Sequence, residues 1–395
     1  MLDILWLILI IYIVLLGIYY SFKIHFKNYQ IKGLFKKINK DSLFLALGTK
    51  MGVGTIIGTT MSIHIGGPGS ILWIYFFSIL TSSIIFVESF LGSKYKQKIN
   101  NEYIGGIYYY TKYGLNKGSL ALIALVLFIS TYTFFFLMIQ TNTIYNTLKI
   151  NKYVLGYIVF IFITIIISKD VTKIRTLLNK IVPFMCIFFI CISLFVIIKN
   201  YNLLGNIIHD IITDAFNLAS FLPGMIIGIK RSIFLNELLI GTTSMSSGIN
   251  NKNSEETANT LVLGSYFITF IISTLVSLLV LIYFKSENVI SSSYIELLLK
   301  TFTYHFGNLG NTFLIIIICS LSISTIISGI YIGISNFEFL FNNKKLLLIF
   351  KALITIFITS GIFISTNNIW LLIDIMMLAL IIVNSYVITK LRSSI

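Results

Sequence analysis

Apolar runs of about 20 residues recur along the whole of this chain, and no other feature limits its fold as strongly. A hydrocarbon core about 30 Å thick is crossed by a helix of roughly 20 apolar residues. Only helices and closed barrels cross it, because no water is there to satisfy backbone hydrogen bonds. A barrel would show alternating segments of about ten residues, and stretches such as 120–137 do not alternate. Charged residues make up 11% of the 395, whereas a soluble chain carries about 25%. The expected fold class is an all-α polytopic membrane protein, a single transmembrane domain over 1–395.

Eleven spans are expected. The first is 2–22. Five follow at roughly 42–64, 71–92, 119–146, 153–168 and 179–199, and five more at roughly 214–233, 258–284, 310–334, 346–364 and 369–389. The first run lacks a basic leader and a small-residue cleavage site, so it is expected to stay as a helix.

Charge sets an orientation. With the N-terminus outside, the inside loops hold 23 basic residues, among them Lys23, Lys27, Lys32, Lys36, Lys37 and Lys40, with Lys230 and Arg231 counted in. Outside there are five: Lys149, Lys152, Lys199, Lys285 and Lys300. Basic loops stay in the cytoplasm, so the N-terminus is expected outside and the C-terminus inside, in a plasma membrane of the bacterial inner-membrane kind. The segment 23–40 would meet anionic headgroups. The bias accounts for the net charge of +15 without nucleic acid.

Enzyme chemistry has no visible support. The histidines at 25, 64, 209 and 305 are scattered, and no phosphate loop or Ser/His/Asp set stands out. His64 lies near the outer end of its span and reads as interfacial. Cys186, Cys191 and Cys319 fall inside apolar runs without metal-ligand spacing, and read as packing residues. No cofactor is expected.

The two groups of five spans begin alike. The first opens with Gly48, Gly52, Gly54 and Gly58, the second with Pro223, Gly224 and Gly228. Interrupted spans at matching places in two halves point to a transporter's binding site. An unwound helix offers N–H groups to a carboxylate and carbonyls to a cation. The alternative is that these glycines only let helices pack closely.

Several motifs go further. The run Gly48-Thr-Lys-Met-Gly-Val-Gly-Thr-Ile-Ile-Gly58 is followed by Gly66-Gly-Pro-Gly69. Then come Glu88 and Gly92, Gly105-Gly106, Gln140 and Asn142, Pro183, and Lys230-Arg231 with Asn236-Glu237. Ser324-Thr325, Gly333, Trp370, Asp374 and Asn384 complete the series. Taken in order over roughly 45–385, they resemble the sodium:alanine symporter family. The resemblance implies the LeuT-type (amino acid–polyamine–organocation) fold: two inverted five-helix repeats, 42–199 and 200–395, after an extra N-terminal helix and basic loop, 1–41. It implies symport of a small neutral amino acid such as alanine or glycine, with sodium as co-substrate. The substrate would lie against Gly52, Val53, Gly54, Thr55, Gln140, Asn142 and Gly224. A sodium ion would take carbonyls of Gly48 and Met51 and hydroxyls of Ser324 and Thr325, an all-oxygen set suited to a hard cation. Read as residues alone, Gln140 and Asn142 equally suit helix–helix hydrogen bonds, and the two hydroxyls equally suit bonds to their own helix.

Departures fall on the same site. Thr55 stands for the family's Asn, Val53 for its Thr, and Ile268, in the span 262–281, for an acid. The sixth core span, 215–230, looks short, and Leu238-Leu-Ile-Gly241-Thr-Thr replaces a small-residue run. They leave open a sodium-independent or proton-coupled transporter, or a transport-inactive regulatory homologue. Glu88, Asn236 and Glu237 are structural or gating candidates. A buried carboxylate left uncompensated costs about 2–3 kcal/mol or more, so Glu88 needs a partner or a wet cavity. Lys50 replaces a small neutral residue: either a tethered cation standing in for sodium, or a lysine that snorkels or pairs with Glu88.

Overall fold

The computed structural model describes residues 2–99, 102–169, 171–249, 251–287, 293–341 and 343–395. Apart from one antiparallel hairpin, β1 (Gln97–Ile99) with β2 (Glu102–Ile104), its regular elements are helical. Helix α1 is Leu2–Lys23. Then come α2 (Lys40–Lys50), α3 (Val53–Gly66), α4 (Ser70–Lys94), α5 (Gly118–Leu148), α6 (Lys152–Ile167) and α7 (Val171–Lys199). After α8 (Leu204–Ala215) follow α9 (Phe221–Asn236), α10 (Thr242–Ser247) and α11 (Ser254–Ser286). The last four are α12 (Tyr294–Phe306), α13 (Gly310–Leu340), α14 (Lys344–Ser360) and α15 (Thr366–Lys390).

Local chemistry sets many of these ends. Asn39, Asn151, Asn253 and Asn343 each accept a backbone N–H from the first turn of α2, α6, α11 and α14. Ser293 and Ser365 do the same for α12 and α15. Such caps satisfy N–H groups that the helix itself cannot. Sequence spans and helices therefore differ by a few residues at their ends.

Among the described residues, seven helices are long and apolar enough to cross a membrane, or eight if the bent pair α2–α3 is one span. The count of eleven is not met by length. Helices α6, α9 and α14 have 16, 16 and 17 residues, and 16 residues rise about 24 Å, short of a 30 Å core. Leu15, Val126, Phe184, Ile198 and Leu348 are exposed on the flanks. Large apolar side chains facing outward fit a multi-pass membrane protein, whose solvent there is lipid.

One succession occurs twice. A broken helix (α2–α3, then α9–α10) is followed by two long helices, a short one and another long one, with the short α12 inserted between the two long helices the second time. The second long helices, α5 and α13, both have 31 residues. The two broken helices lie together: α3 packs against α9, and α2 against α10. Helix α4 packs on α1, α9, α10 and α11. Wider π-helical turns interrupt α5 at Ile129–Phe136 and α11 at Phe267–Ser273. Such turns often mark functional sites.

Candidate functional site

The first break is Met51–Gly52, where α2 and α3 meet at 49°. Its glycines are required by close approach. A Cβ on Gly52 would come 2.5 Å from Thr325 Oγ1, and one on Gly54 would collide with the Phe234 ring. The Thr55 hydroxyl reaches back across the break and donates to the Lys50 carbonyl at 2.6 Å. Opposite, Gln140 Oε1 accepts the Val53 N–H at 3.2 Å. The N-terminus of α3, where backbone N–H groups favour a negative or polar oxygen, is thus capped by a side-chain amide from α5.

The second break lies elsewhere than the sequence suggested. Helix α9 runs unbroken through Pro223, Gly224 and Gly228. Pro223 sits in the first turn, where its missing N–H costs nothing. A Cβ on Gly224 would meet the Gly66 carbonyl at 2.8 Å, and one on Gly228 the Ser70 carbonyl at 2.6 Å. These glycines serve close packing, as the alternative reading held, and Gly224 stands away from the breaks. The helix ends only at Asn236. Glu237 (φ 49°), Leu239 (φ 61°) and Gly241 (φ 101°) are left-handed, and α10 begins at Thr242. The sixth core helix is therefore displaced from the expected 215–230 but is still only 16 residues long, and its unwound part is the Leu-Leu-Ile-Gly segment. Lys230 and Arg231, counted above as an inside loop, lie within α9, and Arg231 is buried. The charge bias stands without them.

Left-handed backbone at Glu237 and Leu239 is strained and persists only when its surroundings fix it. Glu88 of α4 supplies that. Its Oε2 accepts the Leu239 N–H at 3.2 Å, and the Gly241 N–H also reaches the carboxylate. Asn384 of α15 donates to Glu88 Oε1 at 3.3 Å and to the Leu239 carbonyl at 2.9 Å, and Tyr110 donates in turn to Asn384. The expected partner of Glu88 is thus the unwound backbone itself.

Between the breaks lie Lys50, Glu237 and Tyr132, all buried. Thr242 donates to Glu237 Oε2 at 2.6 Å, and the Thr49 and Tyr132 hydroxyls also face the carboxylate. At the expected cation position the Thr325 hydroxyl donates to the Gly48 carbonyl at 3.1 Å, which brings α2 and α13 together. Ser324 instead donates to Leu321 of its own helix at 2.8 Å. Asn142 turns away from the site. Its amide donates to the Gly361 and Ile364 carbonyls, both at 2.9 Å, and its oxygen accepts from Asn146 and Thr366. Asn236 is tied to Ser78, Ser232 and Thr269. The half-buried His64 lies in the last turn of α3.

The whole chain, residues 1–395, matches one family of known proteins. The chain belongs to the sodium:alanine symporter family. It is therefore a membrane transporter. It is 25% identical to the amino-acid carrier protein AlsT of Bacillus subtilis over 99% of its length and 88% of the relative's. With the probable sodium/glutamine symporter GlnT of the same organism the identity is 28%, covering 97% and 85%. With the sodium/alanine symporter AgcS of Methanococcus maripaludis it is 25%, covering 67% and 62%.

For a sodium:alanine symporter family member, sequence reasoning gave no site role to four further residues, Phe234, Arg231, Ser265 and Tyr132. Phe234 lies 4.9 Å, centroid to centroid, from both Phe136 and Trp370. The Arg231 guanidinium lies 4.8 Å over Trp370 and also interacts with Asp374. Ser265 accepts from Lys50, and Tyr132 faces Glu237. A signal existed for Ser265, a hydroxyl in an apolar span three residues before the anomalous Ile268. Nothing local marked Tyr132 among its aromatic neighbours.

Proposed function

We propose that the chain takes up a small neutral amino acid, alanine or glycine, driven by sodium entering with it. The observation that carries this reading is the pair of helix breaks lying side by side, one of which presents the N-terminus of α3 to a polar oxygen. The substrate carboxylate would take the place of Gln140 Oε1 at the N–H groups of Val53, Gly54 and Thr55. The Phe234 ring, which lies against Gly54, would limit the size of the substrate's side chain. A sodium ion would sit between the carbonyls of Gly48 and Met51 and the hydroxyls of Thr325 and Ser324. For that, the Thr325 hydroxyl must turn off the Gly48 carbonyl so that both oxygens face the ion.

The doubled succession of helices, with antiparallel broken pairs in contact, supports an inverted five-plus-five repeat of the LeuT type after α1. The short helices α6, α9 and α14 would then complete eleven spans, with the N-terminus outside and the C-terminus cytoplasmic. A proton-coupled cycle is the second reading, favoured by Glu237, a carboxyl group buried at the second break. Uptake of labelled alanine and glycine into proteoliposomes, under an inward sodium gradient or an inward proton gradient alone, separates the two.

A further inference from the structure

Lys50 is the last residue of α2 and is 3% exposed. Its ammonium donates to Ser265 Oγ of α11 at 2.6 Å. Glu237 at the second break and Glu88 beneath it both interact with it electrostatically, yet neither accepts a hydrogen bond from it among the described residues. A charge inside the membrane is costly. Here the two carboxylates and the carbonyl end of α2, the negative end of its dipole, offset that cost. From α11 it is a hydroxyl, Ser265, that meets the ammonium, and the buried residue three positions on, Ile268, is aliphatic. The Thr55 hydroxyl occupies the Lys50 carbonyl, an oxygen that a free cation would otherwise use.

A lysine kept only for structure would be expected to close an ion pair. This one stops at a hydroxyl, while the Glu237 carboxylate faces hydroxyls of Thr242, Thr49 and Tyr132. We infer that the Lys50 ammonium is a covalently held cation at the helix breaks, taking the place of a second monovalent ion and leaving the Gly48–Thr325 position for sodium. The inference rests on the sodium-driven reading above. Its chemistry is charge substitution: one ammonium on α2 does, beside Glu237 and Glu88, what a bound monovalent ion would do there. The cycle then carries one sodium ion, not two.

The test is the initial rate of labelled alanine uptake into proteoliposomes as sodium replaces choline. A Hill coefficient cannot exceed the number of coupled sites, so wild type is expected to give about one. Lys50→Ala alone should lose at least about tenfold in rate, since removing one partner leaves buried charge uncompensated. Lys50→Ala with Thr55→Asn and Ile268→Asp should regain uptake with a coefficient rising toward about two, as a second site opens. Thermal unfolding in sodium against choline, without amino acid, reads sodium binding apart from transport. The triple variant should gain a larger sodium-dependent shift than wild type. A wild-type coefficient near two, full activity of Lys50→Ala, or a triple variant that recovers with unchanged sodium order would overturn the inference alone. Wild-type vesicles that take up no amino acid under any gradient would overturn the transport reading and this inference with it.

Discussion

Gly54 has no room for a side chain, because the Phe234 ring already occupies the space beside its Cα. A branched side chain there would push the ring aside or fill the space where backbone N–H groups meet a substrate. Gly54→Leu is expected to abolish alanine uptake while the protein still inserts and is still purified as a monodisperse species; undiminished uptake would place the substrate elsewhere. Asn142, two residues past Gln140, has the opposite standing. Its amide is spent on the loop between α14 and α15. Asn142→Ala should lower unfolding stability by about 1–3 kcal/mol, the cost of unsatisfied buried groups, without changing the KM for alanine. A large rise in KM at unchanged stability would return Asn142 to the substrate site. Sequence alone paired these two residues because they share one motif. Two positions along a helix are about 200° apart in direction, so they face different neighbours.

The two helix breaks differ in how much of them the sequence carried. The first was legible, since Gly52 and Gly54 are small where other elements approach. The second was misplaced onto Pro223, Gly224 and Gly228, which local rules read as an interruption. In the fold that proline is harmless and those glycines face the turn joining α3 and α4. The true break, at Leu238–Gly241, has three large aliphatic residues, all buried. What unwinds it is a tertiary acceptor, the Glu88 carboxylate from α4, and no local pattern announces a partner 151 residues away. Glu88→Ala should therefore destabilise by about 3–5 kcal/mol, as when one member of a buried charged network is removed. Glu88→Gln, which keeps one oxygen for the Leu239 N–H, should cost clearly less. An alanine variant that unfolds at the wild-type temperature would mean the break is held by something else.

Over the whole molecule, apolar runs foretold the helices well and their crossing lengths less well. Three expected spans fall short of crossing length: α6 has only the 16 apolar-run residues the sequence offered, α9 ends at the second break, and α14 stops at Ser360. Orientation rests on the basic loops. With Cys186, Cys191 and Cys319 replaced by serine, Lys37→Cys should resist an impermeant maleimide in intact cells and react after permeabilisation. Lys37 is exposed and its ion pair with Glu256 is a surface one, so the substitution should cost under about 1 kcal/mol. Labelling in intact cells would invert the topology. The central claim is that paired helix breaks couple sodium to a small amino acid. Its most direct measurement is the level of labelled alanine reached inside proteoliposomes under an inward sodium gradient, compared with choline. Concentration above the external level in sodium, collapsing to equilibrium in choline, is the predicted result. Equal levels in both salts, or no uptake in either, would contradict it.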